Sequence, residues 1–269
     1  QVILEDDGGN RLEPTEEGLI VFETRSLTKP PTDEKASTEP TKETASTEPA
    51  QRTVSLVEIN EMSKNLLKQF SSKTPYIVSN RQFLQAIQKM TAEYAVEGFS
   101  TKAAKYRDVI NVAFVREQNL DAPLGFILAM SRSKFDPASE RGADGLWRMT
   151  NEFVTTNAYN GLCGSEPLTD ASQNCAAKAS AIYMKAVVFG VFDGDAIYGA
   201  AVFGKSPQDA GAWKASLPAN RADIWNTVKT PQEREQIVRF FAAGIVADNP
   251  QKFGLTSDRP LSELYRLAM

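Results

Sequence analysis

From Thr53 onward the apolar residues of this chain recur at three- and four-residue spacing, a period that confines it to packed helices. Leu56, Ile59, Met62, Leu66, Leu67 and Phe70 form one such stripe. Phe83, Leu84, Ile87 and Met90 form a second, and Tyr106, Val109, Ile110, Ala113 and Phe114 a third. Residues so spaced lie on one side of a helix and have to be buried against another element. Further helical stretches are predicted at about 121–132, 150–159, 172–188, 193–203, 206–213 and 231–247. Strand-like alternation is almost absent from this half. The expected class is mainly α, with residues 53–269 as one domain, roughly 215 residues and enough for one sizeable core.

The first 52 residues differ. Val2-Ile3-Leu4 and Leu19-Ile20-Val21-Phe22 are short β-favouring runs, separated by Gly8-Gly9-Asn10 and Pro14. They suit an isolated hairpin, which is marginal alone in water. Residues 1–25 therefore read either as a frayed terminus or as a docking segment that adds a strand to a partner's sheet edge. Residues 26–52 are low complexity, with Ala-Ser-Thr-Glu-Pro at 36–40 and again at 45–49. They hold too little apolar surface to offset the entropy of ordering and read as a disordered tether. Such a chain spans roughly 30 Å on average. The start at Gln1, with no basic and apolar leader after it, reads as a processed or trimmed end, with any signal peptide or lipid anchor already removed.

Composition removes several kinds of chemistry. There is no histidine, which excludes His-based triads, His-ligated zinc and His general bases. Catalysis would rest on carboxylates, Lys, Tyr, Ser, Thr or Cys. Two cysteines are too few for an all-cysteine metal site. The net charge of −4 argues against a nucleic-acid partner held by bulk charge. No apolar run is long enough for a transmembrane segment. Gly190, Gly194, Gly199 and Gly204 form no phosphate-cradling pattern. No cofactor and no metal are expected.

Residues 124–149 carry a resemblance. They read Leu-Gly-Phe-Ile-Leu-Ala-Met-Ser-Arg-Ser-Lys-Phe-Asp-Pro, then Ala-Ser-Glu-Arg-Gly-Ala-Asp-Gly-Leu-Trp-Arg-Met. This resembles the core of the lytic transglycosylases of lysozyme-like fold, whose pattern is an apolar helix ending in Glu-Ser-x-Phe-x-Pro followed by a Gly-Ala-x-Gly-Leu-Trp/Met-Gln-Met/Ile turn. Tyr159-Asn160-Gly161 is similar to the family's Tyr-Gly-Leu step, and Asp170 through Tyr183 to its Ala-rich helix. Asp193-Gly194-Asp195 stands before the helix of the third motif. Pro231 to Gly254 resembles the closing helices. The resemblance covers about residues 75–257 and is closest to the membrane-bound murein transglycosylase D type. It implies a lysozyme-like helical domain, a peptidoglycan ligand, a periplasmic or secreted place in the bacterial cell envelope, and an envelope protein as the partner engaged by residues 1–25.

The chemical positions of that family are changed here. Its single Glu protonates the glycosidic oxygen and then helps the sugar's own C6 hydroxyl close a 1,6-anhydro ring. A carboxyl with a raised pKa suits this task. The matching position holds Arg132, a guanidinium that stays protonated and has no acceptor lone pair. Arg148 stands where the family has Gln. The third motif, Ala-Ala-Tyr-Asn, aligns with Ala201-Val202-Phe203-Gly204. The resemblance therefore implies a pseudoenzyme, a binding or scaffold module whose glycan groove would hold Arg132, Ser133, Arg148, Met149 and Phe203. Two alternatives stand beside it: an active transglycosylase using a displaced carboxylate from Glu140, Asp144 or Glu152, and a purely structural subunit with a plugged groove.

Single residues carry further expectations. Arg132 either contacts a carboxylate or a glycan oxygen, or sits in a structural salt bridge. If Arg132 and Arg148 share a cleft, a carboxylate, with Glu140, Asp144 and Glu152 as candidates, or a ligand anion is expected between them. Cys163 and Cys175 are expected to form a local disulfide in an oxidising compartment, the alternative being two buried thiols. Trp147, Trp213 and Trp225 are expected in the core rather than as sugar platforms.

Overall fold

The computed structural model describes residues 54–266, together with the strand residues 4–5, 11–15 and 18–22. The chain divides into two compact units, Gln1–Glu48 and Pro49–Met269. The tether expected at 26–52 lies outside the described residues.

The first unit is an antiparallel sheet of order β1-β2-β3, with β1 at Leu4–Glu5, β2 at Arg11–Thr15 and β3 at Gly18–Phe22. The two apolar runs do not pair with each other, as the expected hairpin required. Leu19–Phe22 pairs with Arg11–Pro14, and Leu4 pairs with Leu12. The Arg11–Thr15 segment, too polar to stand out as a strand, becomes the middle one.

The second unit is helical. α1 spans Leu56–Leu67 and α2 Arg81–Tyr94. α3 (Phe99–Lys105) and α4 (Arg107–Ile110) lead into a wide π turn at Asn111–Glu117. α5 covers Ala122–Ser133, α6 Asn151–Thr156 and α7 Asn160–Cys163. α8 (Asn174–Lys185) again runs into a π segment, Ala186–Val191. α9 (Ala196–Ala201), α10 (Pro207–Ser216), α11 (Ile224–Thr227), α12 (Pro231–Asp248) and α13 (Ser262–Arg266) complete it.

Local chemistry explains several of these starts. Ser55 and Glu58 form a reciprocal capping box on α1, and the Asn80 side chain accepts from two amides opening α2. Pro231 occupies the first turn of α12, where a missing N–H costs nothing. Two stretches differ from the sequence reading. The stripe from Tyr106 to Phe114 is not one helix, because Tyr106 closes α3 and the chain then widens. Residues 150–159 break into α6 and a turn through Ala158, whose φ is 56°.

The core is built around α5 and α12. Every residue of α5 from Pro123 to Met130 is buried, as are ten of α12's last twelve residues taken from Ile237. α12 packs against α1, α2, α5 and α9, so it threads the middle of the unit. Close approach needs Gly125, since a Cβ there would stand 2.8 Å from side-chain carbons of Ile110 and Phe114. Each large side chain buried here contributes on the order of 1.5–3 kcal/mol. No helix among the described residues is long and apolar enough to cross a membrane. Such a core makes the end of α5 a rigid platform.

Candidate functional site

α5 ends abruptly. Lys134 caps it in the left-handed region (φ 53°) and Phe135 follows at φ 60°. The chain then folds into two tight turns, with bridges Glu140–Ala143 and Asp144–Met149. Of eight non-glycine residues with positive φ among the described residues, four lie here: Lys134, Phe135, Arg141 and Arg148. Such backbone persists only where the surroundings over-determine it.

Arg148 supplies much of that determination. Its Nη1 donates to the carbonyls of Asp136 (2.9 Å), Gly145 (3.1 Å) and Ala138, and its Nη2 lies 3.3 Å from Glu140 Oε2. Its buried Nε has no partner among the described residues. Gln173 pins the other side of the loop, accepting from Leu146 N at 2.8 Å and donating to Leu168 O at 2.8 Å. Gly145 lies at φ 73°, and a Cβ there would meet Leu168 O at 2.7 Å, so this turn admits glycine only.

Arg132 projects from the last turn of α5, where the helix dipole favours a cation. Its Nε donates to Trp147 O at 2.6 Å, and its Nη2 is 3.5 Å from Arg148 O, at the limit of a hydrogen bond. Its guanidinium carbon stands 4.6 Å over the Phe203 ring. No carboxylate pairs with it among the described residues, so the expected salt bridge is corrected to carbonyl and ring contacts. Burial pulls its pKa down to about 10, and the charges of Arg148 and Arg239 act in the same direction. It remains a cation at neutral pH.

A cavity of about 270 Å³ opens beside this residue. Arg132, Arg141, Arg148 and Arg239 line it, with Ser131, Gln236 and Glu140. Glu140 is the one carboxylate on the lining, and it pairs with Arg148 alone. Among the described residues no carboxylate bridges Arg132 and Arg148, so the carboxylate arm of that expectation is corrected. Asp144 accepts from Ser139 Oγ, and Glu152 is exposed in the first turn of α6. Neither lines the cavity.

Three expected groove residues face the core instead. Ser133 is one residue past Arg132, about 100° around the helix, and its Oγ donates back to Ala129 O at 3.1 Å. Met149 alternates with Arg148 across the turn and accepts from Ser180 Oγ inside. Phe203 is 2% exposed, stacked 5.8 Å from Phe153 and edge-on to Tyr183 at 5.3 Å. Gly204, at φ 98°, turns the chain after α9. Sequence reading missed Gln236 and Arg239, which reach the cavity from α12. Their signal was a run of polar residues, Glu233 to Gln236, opening an otherwise apolar helix.

No family model matches this chain, and no curated protein matches it in sequence.

The remaining expectations fall on clear structure. Cys163 and Cys175 form a disulfide with Cα atoms 5.0 Å apart. Trp147 is fully buried, its Nε1 donating to Gly125 O at 3.2 Å. Trp213 is buried against Phe192 and Tyr198, while Trp225 is half-buried between Phe83 and the Arg234 guanidinium. A second cavity, about 500 Å³, carries Asp121, Asp193 and Asp195. All three are engaged: Asp121 by Ser71, Asp193 by Lys214, and Asp195 by the first amides of α9, Thr74 and Tyr76. The hydrogen bond and charge of Lys214 hold the Asp193 carboxyl below the usual carboxylate range.

Proposed function

We propose that the helical unit is a lysozyme-like domain of the lytic-transglycosylase type that no longer cleaves glycan. In this reading it serves as a peptidoglycan-associated binding or scaffold module of a bacterial cell envelope. One observation carries it: at the end of α5, where the motif order puts the proton-shuttling acid, stands the cation Arg132, unpaired among the described residues, and the one carboxylate among the described residues on the cavity wall is tied to Arg148. A guanidinium can neither protonate the glycosidic oxygen nor assist ring closure. The motif order also fits: a buried helix, a glycine-dependent turn ending in a buried Leu-Trp, an Ala-rich helix and a long closing helix. The disulfide suits an oxidising, periplasmic or secreted setting. The strands β1–β3 offer edges by which a partner protein would be engaged.

The test is incubation of the purified chain with isolated sacculi. Co-sedimentation is expected, without release of 1,6-anhydro-muropeptides at high protein concentration. Appearance of such products would refute the inactive reading, and failure to sediment at low salt would refute the glycan-binding one.

A further inference from the structure

We propose that the arginine-lined cavity at the end of α5 is a binding site for a carboxylate carried on a glycan. The inference rests on the glycan-module reading and adds the class of ligand the altered site selects. Four guanidiniums face one carboxylate on its wall, in a chain whose net charge is −4. The excess is local and concentrated on one concave surface.

Two of the four cations are unmatched. Arg239 is paired with Glu93 and Glu235, each at 2.9 Å, and Arg148 with Glu140. Arg132 and Arg141 make no ion pair among the described residues. Arg132 is fixed from behind by Trp147 O and the Phe203 ring, which leaves Nη1 without a hydrogen-bond partner among the described residues. Arg141 is exposed on the turn, its side chain unbonded among the described residues. A half-buried cation without a counter-charge is unfavourable, and an entering anion relieves that penalty. A planar fork held in one orientation also loses little freedom on binding a carboxylate. The burial that lowers the affinity of Arg132 for its proton acts in the same sense, since a bound anion would restore it.

Ser131 and Gln236 share the wall. Ser131 Oγ donates to Leu128 O at 2.9 Å, which leaves its oxygen lone pairs to accept. These neutral groups suit sugar hydroxyls. At about 270 Å³ the cavity lies near the lower bound of small-molecule sites, roughly 300 Å³. It is sized for one acidic sugar residue rather than a length of strand.

The experiment is calorimetric titration of the full chain with four probes: N-acetylmuramic acid with its free lactyl carboxylate, N-acetylglucosamine without it, triglutamate and inorganic phosphate. N-acetylmuramic acid is expected to bind saturably, about tenfold or more tighter than N-acetylglucosamine, and to weaken as sodium chloride rises. Arg141→Gln, on an exposed turn, and Arg132→Lys, which keeps the charge without the fork, are each expected to weaken it about tenfold. Equal affinity for the two sugars overturns the proposal. So does tighter binding of triglutamate or phosphate, or unchanged affinity in Arg141→Gln with a native circular dichroism spectrum. The sacculus assay separates the two readings. Sedimentation with equal sugar affinities removes only the carboxylate site, whereas carboxylate binding without sedimentation removes only the peptidoglycan module.

Discussion

Arg148 shows how one side chain can hold a whole loop. Its side chain bonds three carbonyls and Glu140 of its own loop. Truncation would leave the Asp136 and Ala138 carbonyls without this donor in a segment already carrying left-handed backbone, while Gly145 O keeps the backbone N–H of residue 148. Arg148→Ala is expected to destabilise the helical unit by about 2–3 kcal/mol, as loss of charge-assisted bonds in a partly buried setting does. The shift in the urea midpoint measures this, and a change below about 0.5 kcal/mol would show that the loop is held by Gln173 and packing alone. The identity of Arg148 was plain in the sequence. Its partners were not, because they are backbone oxygens that every residue has.

Among the elements, α7 and α8 are joined by the disulfide, which closes a short loop between Cys163 and Cys175. Within that loop Glu166 accepts from Cys175 N at 3.1 Å and from Ser172 Oγ at 3.3 Å. The double substitution Cys163→Ser, Cys175→Ser is expected to cost about 2–3 kcal/mol, with the effect concentrated in faster amide exchange over α7. Uniform exchange across the unit would mean that the bridge acts globally instead. The longer helices were legible from periodicity and caps, α1, α2, α5 and α12 above all. The π segments after α4 and α8 were not, since apolar residues continue through them and only the hydrogen-bond register changes.

Over the whole molecule, the positive lining of the cavity bears on whether a carboxyl placed at the end of α5 would cleave glycan under the proposed reading. In Arg132→Glu the new carboxyl would stand near Arg148 and Arg239, whose charges oppose the upward push of burial on its pKa and favour its ionised form. An ionised carboxylate cannot protonate a leaving oxygen, so the variant is expected to release no 1,6-anhydro-muropeptides from sacculi. Measurable turnover from that single change would mean that the remaining arginines do not set the electrostatics of the site.

The amino-acid sequence alone determined the helical class, the buried faces, the disulfide partners and the absence of an acid at the end of α5. These follow from residue identity and local period, which need no knowledge of neighbours. Tertiary structure decided which groups share the cavity. It brought Gln236 and Arg239 from α12 beside Arg132, turned Ser133, Met149 and Phe203 inward, and left Arg132 unpaired. Side chains about a hundred residues apart meet only through helix crossing, and a rotation of about 100° per residue decides which of them faces the groove.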